Sequence, residues 1–266
     1  MGYLEQMKKA SLVGAFFVSV LLPVLAQAAC PVPQGLSRYP VERVVDGDTL
    51  RLADGRSVRL IGINAPELAH HGRSTEPFAE AARQRLRELV AANDDSVALQ
   101  FGAQGKDHYG RLLAHAYDAS GHNLEAQLLA AGLGYLVAVA PNTRLVACQQ
   151  AAEREARQAG RGLWRQAPVR SPEQLSESGF ALVQARVQRV QRNRGGVWLE
   201  LDGPLVLQVA PKFVARFDVA ALQALVGRRV EARGWVIDRS RRGSVKPGQA
   251  RWMLPLTDKA MLEVLP

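Results

Sequence analysis

Between Val41 and Ile63 apolar and polar positions alternate with a period of two, in V-E-R-V-V, T-L-R-L and S-V-R-L-I-G-I. That is the spacing of half-buried strands. Asp54-Gly55, between the second and third runs, signals a hairpin turn. After Pro77 the period lengthens: Phe78, Ala82, Leu86, Leu89 and Val90 fall on one helical face, while Arg and Glu fill the other. Strands return at S-V-A-L-Q-F and L-L-A-H-A-Y, separated by a polar loop from Gly102 to Gly110. Two further helices follow, one ending at Gly132 and one running from about Asn142 to Ala159. Strands, one helix, strands and closing helices predict a mainly β fold of the α+β class: a five-stranded OB-type barrel with three helices.

The stretch 165–179 is polar, holds two prolines and lacks an apolar period, so it reads as a linker. Beyond it, over 180–266, the order repeats. A-L-V-Q-A-R-V-Q-R-V, V-W-L-E-L and L-V-L-Q-V read as strands, and a helical A-A-L-Q-A-L-V precedes R-V-E-A-R-G-W-V-I. Asp202-Gly203 holds the place that Asp54-Gly55 holds earlier. A second, smaller OB-like barrel is expected.

The first residues read as an address. Lys8 and Lys9 precede an apolar run from Ala10 to Ala26, and Ala26-Gln27-Ala28 forms a small-residue cleavage site, so 1–28 is expected to be a signal peptide. A retained anchor, or a lipoprotein attached at Cys30, is the alternative. Otherwise the mature chain is expected to be secreted or periplasmic with no stable membrane span. In an oxidising compartment the two cysteines, Cys30 and Cys148, favour one disulfide, with two free thiols or a lipidated Cys30 as the alternatives. The net charge of +9 and the isoelectric point near 10.1, carried mostly by Arg, favour an anionic polymer as partner. The same charge also suits anionic lipid.

Four charged residues in order narrow the chemistry: Asp48 in V-V-D-G-D-T-L, Arg59 and Glu67 in V-R-L-I-G-I-N-A-P-E, and Arg111 in H-Y-G-R. Taken singly, each has an ordinary structural counterpart. A bare D-x-D such as Asp46 and Asp48 is often an Asx-turn, and an arginine is often a solvated charge. As a set they suit attack on phosphorus: a carboxylate beside a hard cation, a second carboxylate to take a proton from water, and two guanidinium forks for phosphate oxygens. The chain shows no paired Cys or His ligand spacing, and oxygen donors select Ca²⁺ or Mg²⁺ over zinc.

V-D-G-D-T-L, V-R-L-I-G-I-N-A-P-E, D-H-Y-G-R and G-L-W match, in order, the motifs of the staphylococcal nuclease (thermonuclease) family, and the chain resembles that family over 39–164. The resemblance implies that Asp48, Asn64 and the carbonyl of Ala65 hold Ca²⁺, that Glu67 activates water, and that Arg59 and Arg111 hold the scissile phosphate. It places Tyr109 near the nucleotide. It further implies endonuclease hydrolysis of DNA, RNA or both, leaving 3′-phosphate ends. One departure stands out: Asn64 and Ala65 occupy positions where the best-studied members have aspartate and threonine. The lost negative charge predicts weaker Ca²⁺ binding or use of another divalent ion.

The second barrel has no D-G-D-T or A-P-E counterpart, so binding is its expected role. Arg186, Arg189, Arg192 and Arg194 lead into one hairpin, and Arg239, Arg241, Arg242 and Lys246 crowd a later loop. Trp198, Trp235 and Trp252 are candidates to stack bases or to fill the core. The competing reading of the whole chain is a nucleic-acid-binding OB-fold protein whose hydrolytic site has weakened through Asn64 and Ala65.

Overall fold

The computed structural model describes residues 30–69, 74–166, 168–243, 245 and 248–266. The expected signal peptide and Lys246 lie outside them. Strands β1 (Arg38–Asp46), β2 (Thr49–Leu52) and β3 (Ser57–Leu60) form the expected meander, and β4 (Ile63–Asn64) follows at once. Helix α1 (Ala79–Ala91) leads to β5 (Ser96–Lys106) and β6 (Leu112–Tyr117). Helix α2 (Leu124–Ala130), the short strand β7 (Tyr135–Leu136) and helix α3 (Val146–Gln158) complete this half.

The barrel closes in the order β1-β2-β3-β6-β5, with β3 and β6 parallel. Alternation supplies its interior: Leu50, Leu52, Val58, Leu60, Val97, Leu99 and Ala114 point inward and are buried. Helices cap it with Leu86, Leu89 and Val90 from α1 and Leu124, Leu128 and Leu129 from α2. Phe78, expected on the inner face of α1, instead precedes the helix with φ 68° and is exposed. The third helix begins later than its pattern suggests. Asn142 stays outside it because its side chain brackets Gln104, accepting from the backbone N–H and donating to the carbonyl, each at 2.9 Å.

The second half repeats the topology. Strands β8 (Val169–Arg170), β9 (Gly179–Asn193), β10 (Gly196–Leu201), β11 (Leu205–Val209), β12 (Arg229–Asp238), β13 (Trp252–Leu256) and β14 (Leu262–Val264) form one sheet, with helix α4 (Val219–Gln223) between β11 and β12. Pairing of β12 with β9 closes a five-stranded ring, β9-β10-β11-β13-β12, in which β11 and β13 are again parallel. The stretch 165–179 is more than a spacer: β8 pairs with β9, and Leu175 enters the second core.

The halves share a packed seam. Val137 and Ala138 join the second barrel's core, and Thr257 Oγ1 both donates to the Ala138 carbonyl and accepts from the Ala140 N–H. Cys30 and Cys148 form a disulfide, fixing the start of the described chain to α3 beside Tyr117. Among the described residues no helix is long and apolar enough to cross a membrane.

Candidate active site

The β1–β2 corner is built by the D-G-D triplet, and its two carboxylates take different tasks. Asp46 forms the Asx-turn, accepting the Asp48 N–H at 3.0 Å. Asp48 turns inward and is 4% exposed. Gly47 lets this corner close, since a Cβ there would stand 2.6 Å from the side chains of both Ala65 and Ala82. Asp48 Oδ2 accepts the Ala65 N–H at 2.8 Å, and Oδ1 accepts the Thr49 hydroxyl at 3.0 Å. Burial pushes its carboxyl up to about 6; Arg59 and the two hydrogen bonds oppose that rise, and the charge of Asp46 adds to it.

Arg59 lies on β3 between the inward-facing Val58 and Leu60, so its side chain leaves by the other face. The guanidinium is held by four acceptors. Nη1 donates to the carbonyls of Leu60 and Ile63, both at 2.7 Å, while Nη2 meets Asn64 Oδ1 at 3.2 Å and Asp48 Oδ2 at 2.9 Å. Those contacts engage the four Nη protons and leave Nε–H for a further partner. Two oxygens expected at a metal, from Asp48 and Asn64, thus converge on one cationic point. Among the described residues no three His, Cys, Asp or Glu side chains gather as a metal-binding group. The expected ligand set holds only one such residue.

Arg111 enters β6 just outside the parallel register that sets Arg59 against Leu113. Residues 59, 111 and 113 share a sheet face, and two residues of strand rise span roughly 7 Å. Asp107 holds Arg111 twice, through its backbone N–H at 2.9 Å and its Nε at 2.7 Å. Sequence reasoning missed this clamp, although an acidic residue four positions ahead of the arginine in D-H-Y-G-R was its signal. Tyr109 is 74% exposed, with the Arg111 guanidinium 5.6 Å from its ring centre. A cleft of about 260 Å³ opens there, lined by Arg51, Arg56, Ser57, Lys106, Tyr109 and Arg111. A larger cavity of about 520 Å³, beside Phe101 and Arg144, is lined by none of the expected site residues.

Glu67 is exposed, on the segment leaving β4. Its backbone is fixed by Glu76, whose Oε2 accepts the Glu67 N–H and whose own N–H donates to the Glu67 carbonyl, both at 2.9 Å. The structure therefore joins Asp48, Arg59, Asn64 and Ala65 in one hydrogen-bonded cluster, with Glu67 two residues beyond it. Arg111 and Tyr109 stand on the neighbouring strand and loop.

The family profile described as staphylococcal nuclease homologue matches residues 57–166. A thermonuclease of Staphylococcus intermedius is 30% identical over 129 residues, covering 47% of this chain and 75% of that protein. The chain belongs to the staphylococcal nuclease family. The SPbeta prophage-derived endonuclease YokF of Bacillus subtilis is 33% identical over 129 residues, covering 47% of this chain and 43% of the relative. Endonuclease YncB of Bacillus subtilis is 31% identical over 134 residues, covering 48% and 62%. This chain thus spans less than two thirds of several such relatives. Asp48 precedes the matched residues and meets two that lie within them, Arg59 and Ala65.

Proposed function

We propose that the protein is a divalent-cation-dependent nuclease that hydrolyses phosphodiester bonds of DNA, RNA or both by attack of water. The observation that carries the reading is the Asp48–Arg59–Asn64 cluster, with Arg59 two residues along β3 from Ser57, which lines a cleft of cationic side chains. Arg59, through Nε–H and through Nη protons released from Asp48, and Arg111, through its outer nitrogens, donate to phosphate oxygens as charge grows on them. Asp107 and the backbone carbonyls aim the two forks beforehand, so little reorganisation is left for the reaction. Glu67 takes the proton of the attacking water, and Tyr109 lies against the nucleotide. Breaking the bond to the 5′ oxygen leaves a 3′-phosphate end, as the family resemblance implies.

The donor set suits Ca²⁺ or a similar hard cation. Asp48 and Asn64 offer converging oxygens, Ala65 offers a carbonyl, and a carboxylate whose charged form is penalised by burial gains from added positive charge. Such an ion, when bound, supplies electrostatic relief to the phosphate. Asn64 in place of a carboxylate makes that hold weaker.

The disulfide fits an extracellular location, and we read the chain as secreted or periplasmic. The second barrel is read as a grip on the same polymer. Arg192 and Arg194 are exposed at its first hairpin, and the Arg239 guanidinium stands 5.9 Å from the Trp198 ring centre. The test is digestion of single-stranded DNA by the full chain with Ca²⁺ or with chelator. Ca²⁺-dependent cleavage is expected. Digestion that ignores the chelator would overturn the metal dependence, and absence of cleavage with every divalent ion would favour a binding protein.

A further inference from the structure

The second barrel does more than sit beside the first, because a line of buried contacts runs from it into the strand that carries Asn64. Arg233 on β12 is 4% exposed, and its Nη1 meets Glu153 Oε2 of α3 at 2.5 Å. The other oxygen of Glu153 accepts the Leu136 N–H of β7 at 2.7 Å. Leu136 and Tyr135 pair with Ile63 and Asn64 of β4, and the next amide, of Val137, donates to the Gly62 carbonyl at 3.1 Å. The Ile63 carbonyl and the Asn64 side chain are two of the four groups that hold the Arg59 guanidinium.

Two features make this line stiff. A second carboxylate, Glu231, receives Arg157 on both oxygens at 2.8 and 2.6 Å and Arg233 at 3.1 Å, so the buried cluster pairs two acids with two guanidinium groups. Beside it, the Tyr135 ring lies between Trp164 at 5.6 Å and Phe180 of β9 at 5.4 Å, and Phe180 in turn meets Trp235 at 5.5 Å. Gly134 permits the close approach of β7 to β4, because a Cβ there would fall 2.6 Å from the Ile63 side chain.

We propose that Arg233 and Glu153 are positioning residues for the phosphodiesterase site: the second barrel, through them, sets β7 and so holds β4, Arg59 and Asn64 in the reactive arrangement. This rests on the nuclease reading above. A discrete chain of packed and hydrogen-bonded groups can carry such coupling, provided both ends respond to a break in it.

The test uses full-length Glu153→Gln, Arg233→Gln and Arg233→Lys, with Arg216→Gln as control. Arg216 also bridges the barrels, to Thr143 and Asp258, but has no contact with β7. Melting curves identify the folded variants, and Glu153→Gln, which keeps size and a hydrogen-bond acceptor, covers the case in which Arg233→Gln does not fold. On single-stranded DNA with Ca²⁺, Glu153→Gln and Arg233→Gln are expected to lower kcat about ten- to a hundredfold with KM within twofold. Arg233→Lys should recover part of kcat, and Arg216→Gln should leave it unchanged. Hydrogen exchange at the Leu136 and Ala65 amides should quicken in the first two variants only, a readout that needs no turnover. A folded Glu153→Gln with wild-type kcat and unchanged exchange would overturn the proposal, as would an equal loss in Arg216→Gln. A wild-type protein without cleavage would sink the nuclease reading, while the exchange arms would still judge the coupling.

Discussion

The two barrels share a strand order and part company at one corner. Where β1 turns into β2, Asp46 accepts the N–H two residues on, and Asp48 runs inward to Arg59. Where β9 turns into β10, Asn193 accepts the Gly195 N–H at 2.7 Å in the same kind of turn, and Gly195 stands where the first barrel has its buried acid. On the neighbouring third strand the register puts Ala210 in the place of Arg59, and Gln208 of β11, in the place of Ser57, donates its amide to the Gly195 carbonyl at 3.0 Å. The turn belongs to the barrel, and the charge belongs to the chemistry. One topology thus carries a buried acid paired with a guanidinium at this corner in one copy and a glycine in its place in the other, and on the nuclease reading that handful of side chains separates a cutting barrel from a gripping one.

The largest expected effect breaks the comparison on the reactive side. Glu67→Gln should lower the rate of DNA cleavage by about 10²- to 10⁴-fold, the span associated with loss of a general base. Gln208→Ala, at the matching corner of the other barrel, should leave it unaltered. Initial rates on a single-stranded oligonucleotide decide this. Wild-type turnover by Glu67→Gln would remove that residue from the mechanism.

Next comes a difference in how the halves are fastened. Among the described residues the one disulfide closes a separation of 118 residues and lies wholly in the first half. Replacing both cysteines by alanine should cost about 2–4 kcal/mol, seen as a lower urea midpoint. Probes in the two barrels should then separate, with the first unfolding earlier. Coincident loss at both probes would mean that the seam makes the molecule one cooperative unit.

A smaller effect sharpens the site itself. Asn64→Asp restores a second negative charge beside Asp48, and the Ca²⁺ concentration for half-maximal cleavage should fall about tenfold, worth ~1.4 kcal/mol. An unchanged titration would count against Asn64 as a ligand. The same substitution at an outward position of the second barrel, Gln208→Glu, should create no calcium response.

Local patterns were readable in the sequence, and contacts across long separations were not. The alternation through β2 and β3 and the face of α1 formed by Ala82, Leu86, Leu89 and Val90 depend on near neighbours and take their expected places, whereas Phe78, one residue ahead of the helix, does not. The partition between Asp46 and Asp48 was not legible, because alternation puts both on one face, whereas the turn gives Asp46 the backbone N–H and sends Asp48 inward. Nor was Arg233, which meets Glu153 across 80 residues. The tryptophans divided on packing that no window reports: Trp252 is core at 2% exposure, Trp235 packs on Phe180 at the seam, and Trp198 is half-buried with its Nε1 on Asn193. The basic hairpin is also less free than its sequence suggests. Arg189 pairs with Glu200, while Arg186 engages the Gly227 carbonyl.

Arg192 and Arg194, exposed nearer the tip of the β9–β10 hairpin, supply the finest test of the comparison. If the second barrel grips the polymer that the first cuts, the double change Arg192→Gln and Arg194→Gln should lower the slope of log affinity against log salt. On a single strand, each phosphate that a cationic side chain no longer neutralises is worth about 0.7 in that slope. The value of kcat should stay at the wild-type level, because neither residue touches β7 or its partners. Affinity for single-stranded DNA, measured by fluorescence anisotropy with chelator across a salt series, separates the outcomes. A slope that does not move would leave this hairpin without a hold on phosphate, and would shift the weight of the second barrel's role to the seam at Tyr135 and Glu153 and to the loop of Arg239.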